Sequence, residues 1–499
     1  MTISVRKSLK EHYVISFILA IAAGLYLYQI GSNSLWLDEF NSIADAQRFP
    51  EEVSLLRPVY FVLLHVWMLF GDSVEWLRGL SVVFGLGAVY LLYELGARLA
   101  DRRSGYIAAL LLACSPLFIN HVQEVRMYSL GSFLSLLSSL FLLDAIQQPT
   151  NFNIGKWSIG RVITVLTIPL SILMLVPDTL IIGWRFRHRV RLLGKFAAAL
   201  LFAGILLLPA TISMVTSAGP SFVSDWTAEL PKPGLVSVVS KLASFTVFWP
   251  LAELPKSLPI KALYYLYTMA AAVVVAIALL NTKRRAHSNA LLLAVWLLIP
   301  AAIMLLFSYI LSPIWNSRYL LFLSPYLFVL VAIGFTKVQQ QSRSLSSAIA
   351  LLYVLTLIGG LNHYYVQRDR DDWRSAFDMV MQAEQTGDAL TIYAPMTTPE
   401  LAADYYYEGP APISAMASLG NELAPDAVGE MLGAMPAGSD RLWFVLRGFN
   451  GNPEANQVIE QAISEKFDVQ SYQRFAGPVD VFLVTERRDI KQATTSSRN

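Results

Sequence analysis

Adjacent acids at Asp38 and Glu39 are the first residues along the chain whose types suggest chemistry. They sit in Ser34-Leu35-Trp36-Leu37-Asp38-Glu39-Phe40-Asn41-Ser42, flanked by Trp36 and Phe40, directly after a long apolar run. Neighbouring residues point about 100° apart on a helix and to opposite faces of a strand, so both carboxylates do not address the same atom. On one reading, one acid is a base while the other orients a helix end or a metal. On the plainer reading, the pair is an acid-rich helix N-terminus, where the helix dipole favours negative charge. A second cluster, His121-Val122-Gln123-Glu124-Val125-Arg126-Met127-Tyr128, lies between two apolar runs. The i, i+3 and i+4 spacing predicts one helical face shared by His121, Glu124 and Tyr128, with Arg126 beside it. A carboxylate and a guanidinium at membrane depth are costly unless paired or functional. The cluster is therefore either a Glu–Arg pair closing a helix hairpin or part of a site, and His121 alone reads as an interfacial histidine. The third cluster is Asn316-Ser317-Arg318-Tyr319. Arginine binds phosphate through its planar fork and keeps its charge, although Arg and Tyr also serve as interfacial anchors. Asp178, inside an apolar run after Pro177, either lines the same cavity as these clusters or caps a half-helix broken there, and the cap is the expected role.

These residues need elements to hold them, and the composition says which. Of 499 residues, 55% are hydrophobic and only 15% charged, and the mean hydropathy is +0.50. A disordered chain and an ordinary soluble enzyme are both excluded. Lys+Arg 38 against Asp+Glu 36 leaves a net charge of +2, so no strong field recruits nucleic acid. The one cysteine excludes a disulfide scaffold and a cysteine-based zinc site. Runs long enough for a spanning helix, roughly 20 residues, occur near 13–30, 76–97, 105–120, 130–146, 196–215, 262–280, 290–311, 319–336 and 345–361.

Residues 162–184 carry Pro169, Pro177 and Asp178 inside one apolar stretch. Lys156 and Arg161 precede it, and Arg185, Arg187, Arg189, Arg191 and Lys195 follow. Basic loops favour the cytoplasmic side, so the stretch is expected to enter and return, giving about eleven passes. Arg6, Lys7 and Lys10 place the N-terminus in the cytoplasm, as an uncleaved anchor in the plasma (inner) membrane. An odd number of passes puts the C-terminus outside. The outer loops are then 31–75, 121–129, 216–261 and 312–318. Residues 58–71, with Tyr60, His65 and Trp67, are too short to span comfortably and read as an interfacial helix.

The expected organisation is a polytopic α-helical membrane module over 1–361, a small soluble α/β domain over 362–490 outside the membrane, and a disordered end at 491–499. Strand-like runs at 389–393, 442–446 and 479–484 alternate with helical stretches at 375–385 and 453–467. Asp371-Asp372-Trp373-Arg374 is expected either to dock the tail onto the membrane module or to serve in packing. Tyr405-Tyr406-Tyr407 is placed either against an acceptor glycan or in packing.

In order along the chain come a span, the Trp-x-Asp-Glu loop, the Pro58-x-Tyr60-x-x-Leu-Leu-x-x-Trp67 helix and Leu77-Arg78-Gly79-Leu80-Ser81. Arg102-Arg103-Ser104-Gly105, Leu112-Ala113-Cys114-Ser115-Pro116, Gln-Glu-x-Arg-x-Tyr and a late Ser-Arg-Tyr follow. This order resembles glycosyltransferase family 39 of the GT-C superfamily, which includes protein O-mannosyltransferases and the lipid A aminoarabinose transferase. The resemblance is strong over residues 34–144, weaker over 318–334 and slight in the tail. It implies inverting transfer of a sugar from a polyprenyl phosphate to an acceptor hydroxyl on a lipid, glycan or protein, at the outer membrane face. By position, Asp38 would be the catalytic base and Glu39 its neighbour in the motif. Glu124, Arg126 and Tyr128 would line the donor site, with Arg318 and Tyr319 toward the lipid phosphate. Trp36, Tyr60, His65 and His121 would line the cavity or the acceptor side. Where many relatives carry His-Pro-Pro, this chain has Arg57-Pro58-Val59, so that histidine's role has no bearer here. A divalent cation is left open, with no ligand set assigned.

The chemistry fits the residue types. An acceptor hydroxyl is a poor nucleophile, and a positioned carboxylate that takes its proton gains roughly 10²–10⁴-fold. The departing polyprenyl phosphate needs positive charge nearby more than an acid, which arginine supplies. The rivals are a polysaccharide polymerase or O-antigen ligase, a transporter or flippase of lipid-linked sugars, and a scaffold acting through its tail. A transporter predicts inverted repeats and midplane charges. The sequence shows no repeat, and its informative acids cluster at one face.

Overall fold

Where no water is available, a backbone must satisfy its own hydrogen bonds, and the long apolar runs do so as helices. The computed structural model describes residues 2–51, 57–217, 232–246, 258–280, 284–310, 314–367, 370–395, 400–418, 441–447, 460–461, 463–465, 467–477 and 479–486. Among them, eight helical stretches are long and apolar enough to cross a membrane, and a bent pair makes nine. The chain is a multi-pass membrane protein. The bend, 63°, falls between α5 (Arg102–Cys114) and α6 (Pro116–Val122). The cause is local, because a residue before proline is driven out of the helical region. Ser115 is accordingly extended, and its Oγ accepts from Phe118 N to start the next helix.

The expected count is about eleven; the apolar part of α1 (Thr2–Leu27) is the shorter His12–Leu27, and α8 (Asn151–Val165) stands at the entering half of the 162–184 stretch. The entering helix of the 162–184 stretch begins earlier than expected. Thr150 caps it, accepting from Asn153 N, so Lys156 and Arg161 lie within α8. A 3-10 turn, Pro169–Met174, then leads into α9 (Leu175–Phe186).

Two readings of this region are corrected. Arg161 does not belong to a basic loop, being 1% exposed. Asp178 is not a helix cap. Arg161 Nε and Nη2 donate to its two oxygens at 2.7 and 3.2 Å. Trp157 and Trp296 each add an indole N–H at 2.8 Å. Arg161 Nη2 also reaches Ser139 Oγ, which is 2.7 Å from the Tyr326 hydroxyl. One carboxylate thus ties together α7 (Tyr128–Gln147), α8, α9, α13 (Arg284–Ile310) and α15 (Ser324–Gln341). An ion pair this dry persists because both oxygens have partners.

Small residues let helices approach. Between α4 (Val74–Leu99) and α5, a Cβ on Gly96 would stand 2.8 Å from the Gly105 Cα. That contact accounts for the glycine in the Arg-Arg-Ser-Gly turn.

The chain divides into two compact units, Met1–Ile30 with Asp45–Arg368, and Gly31–Ala44 with Asp369–Asn499. The second holds a five-stranded sheet of order β2-β1-β3-β5-β4. Its strands are β1 (Ala389–Pro395), β2 (Ile413–Ser418), β3 (Arg441–Arg447), β4 (Phe467–Phe475) and β5 (Val479–Glu486). β1 pairs in parallel with β2 and β3, while β5 runs antiparallel to β3 and β4. Central β3 is buried continuously from Leu442 to Leu446, which explains its unbroken apolar run. The helix Trp373–Ala383 buries Trp373, Ala376, Phe377 and Val380, one apolar stripe, and Asp372 caps it. Gly477, at φ +69°, turns the chain from β4 to β5. Strands stand at all three expected runs. Those at 413–418 and 467–475 were not foreseen, the first being short and rich in small residues and the second a largely exposed edge. The end at 491–499 and most of the helical stretch expected at 453–467 fall outside the described residues.

Asp178→Ala strands a buried guanidinium and two indole donors. Thermal or denaturant unfolding in detergent should show a loss of about 3–5 kcal/mol. Replacing Arg161 and Asp178 together by apolar residues should recover much of it.

Candidate functional site

The acidic pair opens the helix Leu37–Gln47. Glu39, fully buried, folds back so that its Oε2 accepts from Trp36 N at 3.2 Å. This is the reaching-back half of a capping box, with the acid at the third helical position. Asp38, one position earlier, is partly exposed, and the Ser42 hydroxyl donates to its backbone oxygen. The two acids therefore differ in environment, as neighbouring helical positions must. Glu39 supports the start of the helix through its side chain, and Asp38 stands partly exposed on the same first turn.

This loop belongs to the same compact unit as the tail. Leu35 N donates to the Tyr406 hydroxyl at 2.8 Å, and Ser34 Oγ to Asp372 at 3.2 Å. Phe40 packs edge-on against Tyr405 and Tyr406. Tyr407 has a different task. Its hydroxyl donates to Glu384 at 2.6 Å and accepts from Ala411 N. Burial, then the bond to Glu384, hold its phenol well above its ordinary range.

In the other unit, the helix predicted through residues 121–128 is interrupted. α6 ends at Val122, and α7 starts at Tyr128. The break is made by side chains that bind backbone. Gln123 Nε2 donates to the carbonyls of Tyr26 and Tyr28 at the end of the first helix, and its Oε1 accepts from the Tyr364 hydroxyl at 2.6 Å. Ser81 Oγ donates to the carbonyls of Glu124 and Arg126. The side chains converge without a continuous helix. Glu124, 2% exposed, takes Asn120 Nδ2 at 3.1 Å and His121 Nδ1 at 2.9 Å. The His121 and Tyr128 rings meet at 4.8 Å, and the Arg126 guanidinium lies 5.8 Å from the Tyr128 centroid. His121, Glu124, Arg126 and Tyr128, singled out in the sequence, are thus brought together, and Asn120 joins them. Asn120, Ser81, Gln123 and Arg78 carry roles that the residue types did not reveal. Arg78, 1% exposed, donates to the Ile30 carbonyl at 2.7 Å. The i, i+3 spacing of Arg78 and Ser81 in Leu-Arg-Gly-Leu-Ser was the available signal.

His65 Nδ1 donates to Ala46 O at 2.9 Å, and its ring meets Phe49, which pins the helix Pro58–Met68. Tyr60 on that helix is buried. Trp67 and Trp76 stack at 4.5 Å, and each indole donates to the other's carbonyl. Arg318 is partly buried near buried Trp315. Asn316 caps its short helix, and its guanidinium lies 5.0 Å from the Tyr319 centroid. Among the described residues, no group of three or more His, Cys, Asp or Glu side chains is gathered to hold a metal ion.

No family model matches the chain, and no curated protein matches it by sequence. Solved structures do. ArnT from Cupriavidus metallidurans in the apo state superposes with a TM-score of 0.59 at 13% identity, over 94% of this chain and 97% of that one. ArnT bound to undecaprenyl phosphate gives 0.57 at 13% identity, over the same shares. The archaeal oligosaccharyltransferase AglB from Archaeoglobus fulgidus, in complex with an inhibitory peptide and a dolichol-phosphate, gives 0.55 at 12% identity, over 97% of this chain and 75% of that one. These proteins are GT-C fold glycosyltransferases, and the chain has that fold.

Glu124→Ala would leave the Asn120 amide and the His121 imidazole without their acceptor in a buried setting. Thermal unfolding should show a loss of about 1–3 kcal/mol, with Glu124→Gln, which keeps one acceptor oxygen, closer to wild type.

Proposed function

We propose that the protein is an inverting glycosyltransferase. It moves a sugar from a polyprenyl-phosphate donor to an acceptor hydroxyl of a lipid, glycan or protein. The reaction takes place at the outer face of the plasma (inner) membrane, with the N-terminus cytoplasmic and the C-terminal domain extracytoplasmic. The observation that carries this reading is a GT-C fold shared over nearly the whole chain with ArnT, solved with undecaprenyl phosphate bound.

In this reading Asp38 is the general base. Its partly exposed carboxylate takes the proton from the acceptor hydroxyl as the oxygen attacks the anomeric carbon. The bond from that carbon to the phosphate oxygen breaks, and the polyprenyl phosphate leaves with the negative charge. Arg318 and Arg126 stabilise that charge, since a guanidinium fork matches phosphate oxygens and stays protonated. Glu124 holds the Arg126 turn through Asn120 and His121, and Tyr128 supplies the ring beneath the guanidinium. Glu39 keeps the base's helix in place. A divalent cation bound near the phosphate would add positive charge at the leaving group, and the reading assigns it no ligands.

Two variants test the roles. With the protein reconstituted in lipid and undecaprenyl-phosphate monosaccharides as donors, Asp38→Asn should lower kcat by about 10²–10⁴-fold while leaving donor binding intact. Wild-type turnover in that variant would remove Asp38 as the base. Arg318→Ala should raise the donor's KM by about 10–100-fold, an effect that a mere interfacial anchor would not produce.

A further inference from the structure

The segment that carries Asp38 is held by the tail of the chain. Gly31 O accepts from Arg374 Nη1 at 3.2 Å. Ser34 Oγ accepts from Arg374 N at 3.1 Å and donates to Asp372 Oδ1 at 3.2 Å. Leu35 N donates to the Tyr406 hydroxyl at 2.8 Å. Phe40 packs edge-on against the rings of Tyr405 and Tyr406, with centroids at 6.1 and 6.0 Å, and the two tyrosine rings meet each other at 4.9 Å. The Arg374 guanidinium stacks over the other partner of this set, 5.7 Å from the Tyr406 centroid. Ser34, Leu35, Glu39 and Phe40 are all buried, whereas Asp38 is not.

These contacts fall on the residues just before the helix Leu37–Gln47 and on its first turn. The direction of a helix is set where it starts, and Asp38 sits on that first turn. Ser34 and Leu35 are the last backbone positions before the cap at Trp36, and both are gripped by side chains more than 300 residues later in the chain. The gripping groups are fixed in turn. Asp372 caps its own helix through Ser375 N, and its neighbour Asp371 is paired with Arg447 of β3 at 2.6 Å. The rigid sheet thereby reaches the acidic loop through two short steps.

We propose that Tyr406, Asp372 and Arg374 are positioning residues for the Asp38 carboxylate, so that the C-terminal domain is a working part of the reaction centre. This rests on the reading of Asp38 as the base. It assigns the Asp-Asp-Trp-Arg and Tyr-Tyr motifs a task in orienting that base, and it requires no contact between them and the substrate. A base held at the wrong angle is slow even when its chemistry is intact, because a misplacement of about 1 Å costs up to about 10²-fold.

The test uses the full chain in lipid nanodiscs as wild type, Tyr406→Phe and Ser34→Ala. Tyr406→Phe keeps both ring contacts and deletes only the hydroxyl that receives Leu35 N–H. Ser34→Ala removes the hydroxyl that joins Asp372 Oδ1 and Arg374 N, and leaves the Arg374 Nη1 bond to the Gly31 carbonyl in place. Hydrogen exchange across residues 34–40 should accelerate about tenfold or more in both variants, with β1 and β3 protected as before. With undecaprenyl-phosphate monosaccharide as donor, kcat should fall about 10–100-fold while KM stays near wild type. Adding Tyr406→Phe to Asp38→Asn should cause no further loss, since there is no base left to orient. Unchanged exchange in both variants overturns the proposal, as does faster exchange with wild-type kcat, or an additive loss in the double variant. Wild-type turnover by Asp38→Asn alone instead overturns the assignment of the base, and the exchange result still reports whether the tail holds the loop.

Discussion

A charge among apolar helices survives only where several donors share it, and the architecture of the membrane module follows from that constraint. Asp178 is the plainest case. Four donors from Arg161, Trp157 and Trp296 divide its two oxygens, and those donors come from two helices, α8 and α13. The ion pair contributes little net stability over apolar packing, but leaving either member alone is costly. Through Arg161, Ser139 and Tyr326 the same network reaches α7 and α15. The buried Glu124 obeys the same rule with Asn120 and His121, and the buried Arg78 is the converse case, a cation that donates to the Ile30 carbonyl.

The same logic shapes the backbone around the candidate site. A broken helix at membrane depth exposes carbonyls and amides that lipid does not satisfy. At residues 124 and 126 the Ser81 hydroxyl serves the two carbonyls, and the Gln123 amide, itself held by Tyr364, serves those of Tyr26 and Tyr28 at the end of the first helix. Irregular backbone is what lets His121, Glu124, Arg126 and Tyr128 turn toward one another, which a straight helix would not allow for all four. The polar supports are therefore a condition of the site's geometry as much as of its stability.

Much of this was legible in the sequence, for definite reasons. Spans were visible because a bilayer demands windows of about 20 apolar residues. The central strands of the tail were visible because burial on both faces writes a continuous apolar run, as in Leu442–Leu446. The neighbouring acids Asp38 and Glu39 were expected to have different roles because a helix turns by about 100° per residue, and one is buried at the helix start while the other is partly exposed. What stayed hidden depended on distant partners. Arg161 looks like one more basic loop residue until Asp178 is placed beside it. Gln123 carries no chemical signature, and its partners at Tyr26 and Tyr364 are 97 and 241 residues away. The grip of Tyr406 on Leu35 joins positions 371 residues apart, which no periodicity records.

The account stands or falls on transfer of a sugar from a polyprenyl phosphate. The most direct measurement presents the reconstituted wild-type protein with a panel of undecaprenyl-phosphate monosaccharides and native membranes as the acceptor source. Loss of sugar from each lipid is followed, and the anomeric configuration of the product is determined. The account predicts that one donor is consumed and that the product carries the inverted configuration. Consumption of no donor in the presence of those membranes, or a product with retained configuration, would contradict it.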